Sequence, residues 1–208
     1  MKFFTFFTKG FYEDVANKYV IPSFKKFNIE IQEMVIENKK DWALNTRLKA
    51  ACILNALTST KDDICMIDAD AQLVSQPEIL LSLSSNDTWD VSCHMFDWWK
   101  YWRNIENKNI YELISSVICF KNTIQNHKLV ERWITSNQLT PSHIPEQRVF
   151  QNLTVQDKSI RIFNLPFEYC CIVNRQGQIP SFVKTPVIVQ HQISRVVKRD
   201  KMLLQRGD

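Results

Sequence analysis

The chain has 208 residues, of which 45% are hydrophobic and 23% charged, and its formal net charge is +4. This length is enough to bury the core of one domain, and the composition excludes a disordered chain. There are three glycines, Gly10, Gly177 and Gly207, where about fourteen would be expected at the ~7% of ordinary proteins. No two are close enough to form G-x-G-x-x-G or a G-x-x-x-x-G-K-[ST] phosphate loop. The phosphates of any bound nucleotide must therefore be held without a glycine-lined backbone cradle.

The first 85 residues alternate between strand and helix patterns. The predicted order is strand Lys2–Thr8, helix 11–27, strand 29–36, helix 46–58, strand 63–67 and helix 76–83. The third strand is almost continuously apolar, as is typical of a strand buried on both faces of a parallel sheet. This alternation predicts an α/β fold with an open, mostly parallel sheet flanked by helices.

The elements predicted beyond residue 85 are shorter. They are strands at 90–95, 115–121, 160–163, 169–173 and 186–190, and helices at 123–136 and 145–153. Residues 96–109 are predicted to be irregular, aromatic and basic. Because no linker divides the sequence, we predict one domain over 1–208. It comprises a nucleotide-binding half (1–85), a sugar and acceptor half (86–191) and a basic tail (192–208).

The tail carries most of the positive charge, with five basic residues against two acidic ones. It is either a solvated terminal helix or a contact for phosphates or another anionic surface. The six cysteines form no C-x-x-C pair and mostly lie in apolar runs, so we expect reduced core thiols and no structural zinc. The N-terminus lacks the features of a secretory signal and no apolar run reaches the length of a membrane span. We therefore expect a cytoplasmic protein.

The most informative motif is Met66-Ile67-Asp68-Ala69-Asp70, which puts two carboxylates directly after a buried strand. Residues two apart in an extended chain point the same way, so Asp68 and Asp70 can face one cation. Open α/β sheets bind ligands at the carboxyl ends of their strands. Mn²⁺ or Mg²⁺ bound there would anchor a diphosphate in place of a glycine loop. The alternative interpretation is two polar residues that merely end a strand.

With these residues the chain resembles the GT-A glycosyltransferases, which transfer sugars from nucleotide-diphosphate sugars and have a Rossmann-like sheet. The matching segments, in chain order, are 5–9, Arg47 with Lys49, Asp68-Ala69-Asp70, Ser115-Ser116-Val117, Glu146-Gln147 and His191. The order covers nearly the whole chain, although only the aspartate motif is individually specific. Ser116 stands where the family usually has glycine.

The resemblance implies a role for each matching position. The metal would be held by Asp68, Asp70 and His191. The nucleotide sugar, with UDP-sugars favoured, would contact Thr5, Thr8, Tyr12, Arg47, Lys49, Asp68, Ala69, Ser116, Gln147 and Arg195. Arg47 and Lys49 would either meet the diphosphate or neutralise Asp68, where a cation stabilises the developing charge. Glu146 would orient the donor sugar, act as a base or cap a helix, and Asp97 is the second candidate base.

An aromatic stretch, Phe96-Asp97-Trp98-Trp99-Lys100-Tyr101-Trp102-Arg103, is the candidate acceptor loop. Aromatic faces interleaved with bases suit stacking on sugar rings or on unstacked nucleic-acid bases. We assign Trp98, Trp99, Trp102 and Arg103 to the acceptor, with His94 beside them. The alternative is an amphipathic lid that packs on the sheet.

The predicted function is metal-dependent transfer of a hexosyl or pentosyl group from a nucleotide sugar to an acceptor hydroxyl. The acceptor is either a hydroxymethylated base in DNA, which we favour slightly because the tryptophans suit an everted base, or a bacterial surface glycan. Two other classes remain open: a haloacid-dehalogenase-like phosphatase, whose D-x-D motif normally follows the first strand, and a nucleic-acid-binding protein without catalysis. Retaining or inverting stereochemistry is not determined by the sequence.

Overall fold

A computed structural model describes residues 1–103, 111–174 and 176–193. The first half contains β1 (Lys2–Thr8), α1 (Phe11–Lys18), α2 (Val20–Lys26), β2 (Ile31–Ile36), α3 (Trp42–Ser59), β3 (Ile64–Ile67), β4 (Ala71–Leu73) and α4 (Glu78–Leu83). The second half contains β5 (Val91–Asp97), α5 (Trp98–Arg103), β6 (Tyr111–Phe120), α6 (Ile124–Leu139), α7 (Glu146–Gln156), β7 (Ile162–Asn164), a 3₁₀ turn (Phe167–Tyr169), β8 (Cys171–Ile172) and β9 (Ile188–Gln190).

Six strands form the central sheet in the order β2-β1-β3-β6-β5-β7. The pairs β1–β2, β1–β3 and β5–β7 are parallel, whereas β6 is antiparallel to both β3 and β5. The mostly parallel α/β sheet predicted from the sequence is therefore confirmed. Because β6 runs against its neighbours, its beginning lies at the same edge of the sheet as the ends of β3 and β5.

The alternation of side chains along β1 divides the core into two layers. Phe3 and Phe7 pack with Phe24 of α2 on one face of the sheet. Phe4, on the opposite face, packs with Ile53 of α3 and Trp133 of α6. Successive strand residues point to opposite faces, so the phenylalanine-rich first strand supplies both layers. Helices therefore cover both faces, as predicted.

Several predicted elements differ from the observed structure. The helix predicted over 11–27 is two helices that meet at Tyr19, because Pro22 has no N–H with which to continue the hydrogen bonds of α1. The irregular stretch predicted over 96–109 begins with the last two residues of β5 and continues with the helix α5, and residues 104–110 lie outside the described part of the chain. The predicted strand 169–173 is shorter, since the 3₁₀ turn precedes β8.

A second sheet of three short strands, β4-β9-β8, brings the end of the described chain back to the aspartate motif. Ala71 lies opposite Gln190 in the antiparallel β4–β9 pair. The backbone N–H of His191 then donates to the carbonyl of Asp70 at 3.1 Å. Residues separated by more than 100 positions are thus neighbours at the carboxyl edge of the main sheet.

All six cysteines are free and buried, which confirms the prediction of core thiols. Within the described residues, no helix combines the length and the apolar character needed to cross a membrane.

Candidate active site

Asp68 and Asp70 lie at the carboxyl end of β3, where the sequence placed them. The N–H of Asp68 donates to the carbonyl of Ser116 at 2.8 Å, which extends the β3–β6 pairing by one step. Oδ2 of Asp70 accepts a hydrogen bond from the N–H of Ile193 at 2.9 Å. Each aspartate is therefore fixed by the backbone of a neighbouring segment, one from the large sheet and one from the segment after β9.

Lys49, from α3, is the centre of a buried charged network beside Asp68. Its ammonium Nζ lies 3.0 Å from Oδ1 of Asp68 and 3.4 Å from Oε1 of Glu146. It also donates to the carbonyl and the hydroxyl of Ser115 at 3.1 and 2.9 Å. The Lys49 side chain is only 5% exposed. Of the two predicted roles for Lys49, the structure supports neutralisation of Asp68.

Opposing effects act on the ionisation of this network. Burial alone lowers the pKa of Lys49, but the carboxylates of Asp68 and Glu146 outweigh it and raise that pKa above its usual value. Burial raises the pKa of Asp68 to about 6, with Asp70 and Glu146 acting in the same direction and Lys49 opposing them. One cation is therefore shared between the carboxylates of Asp68 and Glu146, with that of Asp70 nearby, and a second cation bound at this edge would relieve the remaining repulsion.

Glu146 is the first residue of α7, and its carboxylate is turned into the protein. Oε1 accepts a hydrogen bond from the hydroxyl of Ser115 at 3.0 Å in addition to its contact with Lys49. No hydrogen bond from this side chain caps α7 within the described residues. Glu146 is only 5% exposed. Of the three roles predicted for Glu146, the helix cap is not part of this geometry, which instead places Glu146 in the Lys49 network.

His191 lies next to Asp70 through the β4–β9 pairing. Its ring stacks on Tyr19 at a centroid distance of 4.1 Å, and Nε2 is 2.9 Å from Oε1 of Gln72. Burial, with the nearby charge of Lys18, lowers the pKa of His191, so the ring is neutral at neutral pH. When Nε2–H donates to Gln72, Nδ1 carries the lone pair that a metal would use.

The donor atoms present suit a hard divalent cation. Asp68 and Asp70 offer carboxylate oxygens, and His191 offers a neutral imidazole. In the described part of the chain, no group of three or more His, Cys, Asp or Glu side chains is close enough to enclose a metal ion. The three predicted ligands Asp68, Asp70 and His191 are therefore not gathered into such a group in this structure.

Arg47 has a different position from the predicted one. Its guanidinium donates to the carbonyls of Asn137, Thr140, Pro141 and Ile144 at 2.5 to 3.3 Å. The carbonyl of Asn137 belongs to the last turn of α6, and the other three belong to the connection between α6 and α7. Arg47 is thus bound to a loop some 90 residues further along the chain. The predicted diphosphate contact is not part of this geometry.

The other predicted donor-site residues lie within β1 and β6 or shortly after the ends of β1 and β3. Thr5, Thr8 and Ser116 are buried, and neither Thr5 Oγ1 nor Ser116 Oγ has a hydrogen-bond partner among the described residues. Ala69 is buried between the two aspartates, and Tyr12 is half-buried against the core layer of α1 and α2. Arg195 lies outside the described residues.

The predicted acceptor residues surround the end of β5. Oδ1 of Asp97 accepts from the N–H groups of Trp99 and Lys100 at 2.9 and 3.0 Å. This is the geometry of a helix N-cap, and it accounts for the start of α5 without a catalytic role for Asp97. Trp98 and Trp99 are partly exposed, whereas the side chains of Trp102 and Arg103 lie outside the described part of the chain.

His94 is buried at 4% exposure, with Nδ1 2.5 Å from the carbonyl of Leu165. That carbonyl can only accept, so Nδ1 carries the proton, and Nε2 has no partner among the described residues. Burial lowers the pKa of His94. The ring is therefore neutral, and it is buried in the core, whereas Trp98 and Trp99 are partly exposed.

Glu112, near the start of β6, was not predicted. Its Oε2 accepts from the indole N–H of Trp98 at 2.5 Å, and its Oε1 accepts from the amide of Gln147 at 2.6 Å. A signal for it was available in the sequence. Glu112 opens the apolar run 113–120, and the start of an antiparallel strand meets the ends of its parallel neighbours.

No protein-family model matches the sequence, and no curated protein matches it. Solved structures do match its fold. A glycosyltransferase involved in the glycosylation of the major capsid of PBCV-1 matches with a TM-score of 0.63 and 14% identity, over 96% of this chain and 98% of that one. Mouse xyloside xylosyltransferase 1, in its apo form, matches with a TM-score of 0.54 and 7% identity, over 93% of this chain and 98% of that one. The predicted GT-A fold is therefore confirmed over nearly the whole chain.

Proposed function

We propose that this chain is a metal-dependent glycosyltransferase that uses a nucleotide-diphosphate sugar, with a UDP-sugar favoured. The carrying observation is the pair Asp68 and Asp70 at the end of β3, with Asp68 held by buried Lys49 at 3.0 Å. The fold shared with two glycosyltransferases supports the same proposal. In the reaction, the bond from the anomeric carbon to the diphosphate oxygen breaks and its electron pair leaves with the nucleotide. A bond from the acceptor oxygen to that carbon forms, and the hydroxyl proton is released.

The residues that would hold Mn²⁺ or Mg²⁺ are Asp68, Asp70 and His191. When bound, the ion neutralises charge on the departing diphosphate. Lys49 fixes Oδ1 of Asp68, and Ser115 and Glu146 fix Lys49 in turn. Because these groups are oriented before the donor arrives, the site loses little free energy to reorganisation when charge develops.

For the acceptor we propose a sugar hydroxyl, with a hydroxymethylated DNA base as the second candidate. One structural neighbour is involved in the glycosylation of a major capsid, and the other is a xyloside xylosyltransferase. The DNA candidate is favoured by the basic residues of the tail 192–208. The two acceptors differ in charge: DNA carries phosphates, which favour a positively charged binding site, whereas a saccharide hydroxyl does not need one.

Calorimetric titration of UDP and GDP, with and without Mn²⁺, tests the donor half of this proposal. We expect one nucleotide to bind in the presence of the ion and to bind at least tenfold more weakly without it. Asp70→Asn should abolish the effect of Mn²⁺, whereas exposed Asp62→Asn should retain it. Metal-independent binding of equal affinity in all three proteins would contradict the proposal.

A further inference from the structure

A second polar cluster at the same edge of the sheet consists of Trp98, Glu112 and Gln147, here called the Trp98–Glu112 cluster. Its three residues come from α5, β6 and α7. Each oxygen of Glu112 receives one hydrogen bond, from the indole of Trp98 at 2.5 Å and from the amide of Gln147 at 2.6 Å. Three separate elements therefore orient one carboxylate.

The cluster is directly connected to the proposed donor site. Glu146 contacts Lys49, which contacts Asp68, and the next residue, Gln147, contacts Glu112. The first turn of α7 thus joins the two networks. Open α/β sheets bind ligands at the carboxyl ends of their strands, so adjacent parts of this edge are suitably placed to bind the two substrates of one reaction.

The chemistry of the cluster differs from that of the Lys49 network. Both described donors to Glu112 are neutral, so they orient the carboxylate without cancelling its charge, whereas Glu146 is paired with a buried cation. A carboxylate has about four acceptor positions, and the described contacts use one on each oxygen. Glu112 is half-buried, and its neighbour Tyr111 is 47% exposed, so the group is within reach of a ligand.

We infer that the Trp98–Glu112 cluster binds the sugar ring of a neutral saccharide acceptor, an inference that rests on the proposed function. Glu112 accepts a hydrogen bond from a ring hydroxyl, and Trp98, oriented by its own N–H, stacks against the apolar face of the ring. A DNA acceptor would bring phosphates towards an uncancelled carboxylate, which costs binding free energy. The cluster therefore selects a saccharide over a nucleic acid.

The test compares the wild type with Glu112→Gln, Trp98→Phe and the exposed-site control Glu131→Gln. Saturation-transfer NMR measures binding of methyl xyloside, glucoside, galactoside and mannoside, and UDP release without acceptor measures donor turnover. We expect at least one glycoside to bind the wild type and the control. Both cluster variants should bind it at least tenfold more weakly.

The exchanged pair Glu112→Gln/Gln147→Glu separates recognition from folding. The double variant restores a hydrogen bond between an amide and a carboxylate, with the two groups exchanged between the positions. If the contact is purely structural, this exchange restores glycoside binding. If a carboxylate at position 112 recognises the ligand, glycoside binding stays weak. Rescue of glycoside binding by this pair would overturn the inference. So would binding of an oligonucleotide containing 5-hydroxymethylcytosine in place of every glycoside. Glycoside binding needs no donor, so absence of donor turnover in the wild type would count against the proposed function alone.

Discussion

Lys49 shows how a single buried residue sets the geometry of the candidate site. It lies between Asp68 and Glu146, with its side chain 5% exposed. A buried ion pair adds little net stability, but removal of one partner leaves the other charge without compensation. We therefore expect the stability of this region to depend strongly on Lys49.

We predict that Lys49→Met lowers the free energy of unfolding by about 3–5 kcal/mol, because the buried carboxylate of Glu146 and the partly exposed one of Asp68 then lose their cation. Urea denaturation measures this loss. The additional change Glu146→Gln should recover part of it by removing one of those charges. The exposed control Lys128→Met should stay within about 0.5 kcal/mol of wild type. A Lys49→Met protein as stable as the control would show that the network is not formed.

His94 predicts a pH dependence of stability. Since burial lowers its pKa in the folded state, the unfolded chain binds a proton first as the pH falls below about 6.5. Stability from this group is therefore complete at higher pH and decreases as the solution is acidified through that value. His94→Asn, which can still donate to Leu165, should flatten the decrease in unfolding free energy between pH 7.5 and 5.5. Exposed His143→Asn should not, and equal slopes in all three proteins would contradict the assignment.

Among the secondary-structure elements, the α6–α7 connection depends on Arg47. Four backbone carbonyls, one in the last turn of α6 and three in this connection, accept from one guanidinium, and α7 begins directly after the connection with Glu146. Arg47 therefore affects the candidate site indirectly, by holding this loop in place. Substitution of a residue that contacts the diphosphate would instead weaken nucleotide binding directly.

We predict that Arg47→Met accelerates hydrogen exchange in the segment 137–145 and costs about 1–3 kcal/mol of stability, since four exposed or part-buried carbonyls lose their charged donor. Nucleotide affinity should remain within about threefold of wild type. Exchange mass spectrometry and calorimetry on the same variant measure both effects. A tenfold loss of nucleotide affinity with unchanged exchange would restore the diphosphate contact that the sequence predicted.

The elements that the sequence predicted well are those with local signals. The strands β1 and β3 are dense apolar runs, and Asp68 and Asp70 follow the second of them directly. The start of α3 was predicted at residue 46 but lies at Trp42, where Asp41 caps the helix through the N–H of Leu44. The three-residue strand β4 was not predicted, because its pairing partner β9 lies more than 100 residues away.

The partners of side chains were less predictable than the elements that carry them. The role of Arg47 depends on a loop beyond Asn137, and that of Glu112 depends on Trp98 and Gln147 in two other elements. No local pattern encodes such contacts, since they exist only once the sheet has formed. The juxtaposition of Lys49 with Asp68 was predicted from the resemblance to GT-A enzymes, and the structure supports it.

For the whole molecule, the arrangement of strands explains why the scarcity of glycine is compatible with nucleotide binding. The ends of β1, β3 and β5 and the start of β6 meet at one edge, where carboxylates and one buried lysine are concentrated. Under the proposed function, an edge of this composition would bind a diphosphate through a cation rather than through a glycine-lined loop. Metal dependence is therefore the central requirement of the proposed function.

Nucleotide release from a panel of UDP- and GDP-sugars, measured with Mn²⁺ and with a chelator, tests this requirement most directly. We predict release from at least one donor in the presence of Mn²⁺ and a decrease of at least a hundredfold with the chelator. The same decrease is predicted for Asp68→Asn/Asp70→Asn, while Asp62→Asn should match the wild type. Equal release by the wild type and the double variant, or release that is unaffected by the chelator, would contradict the account.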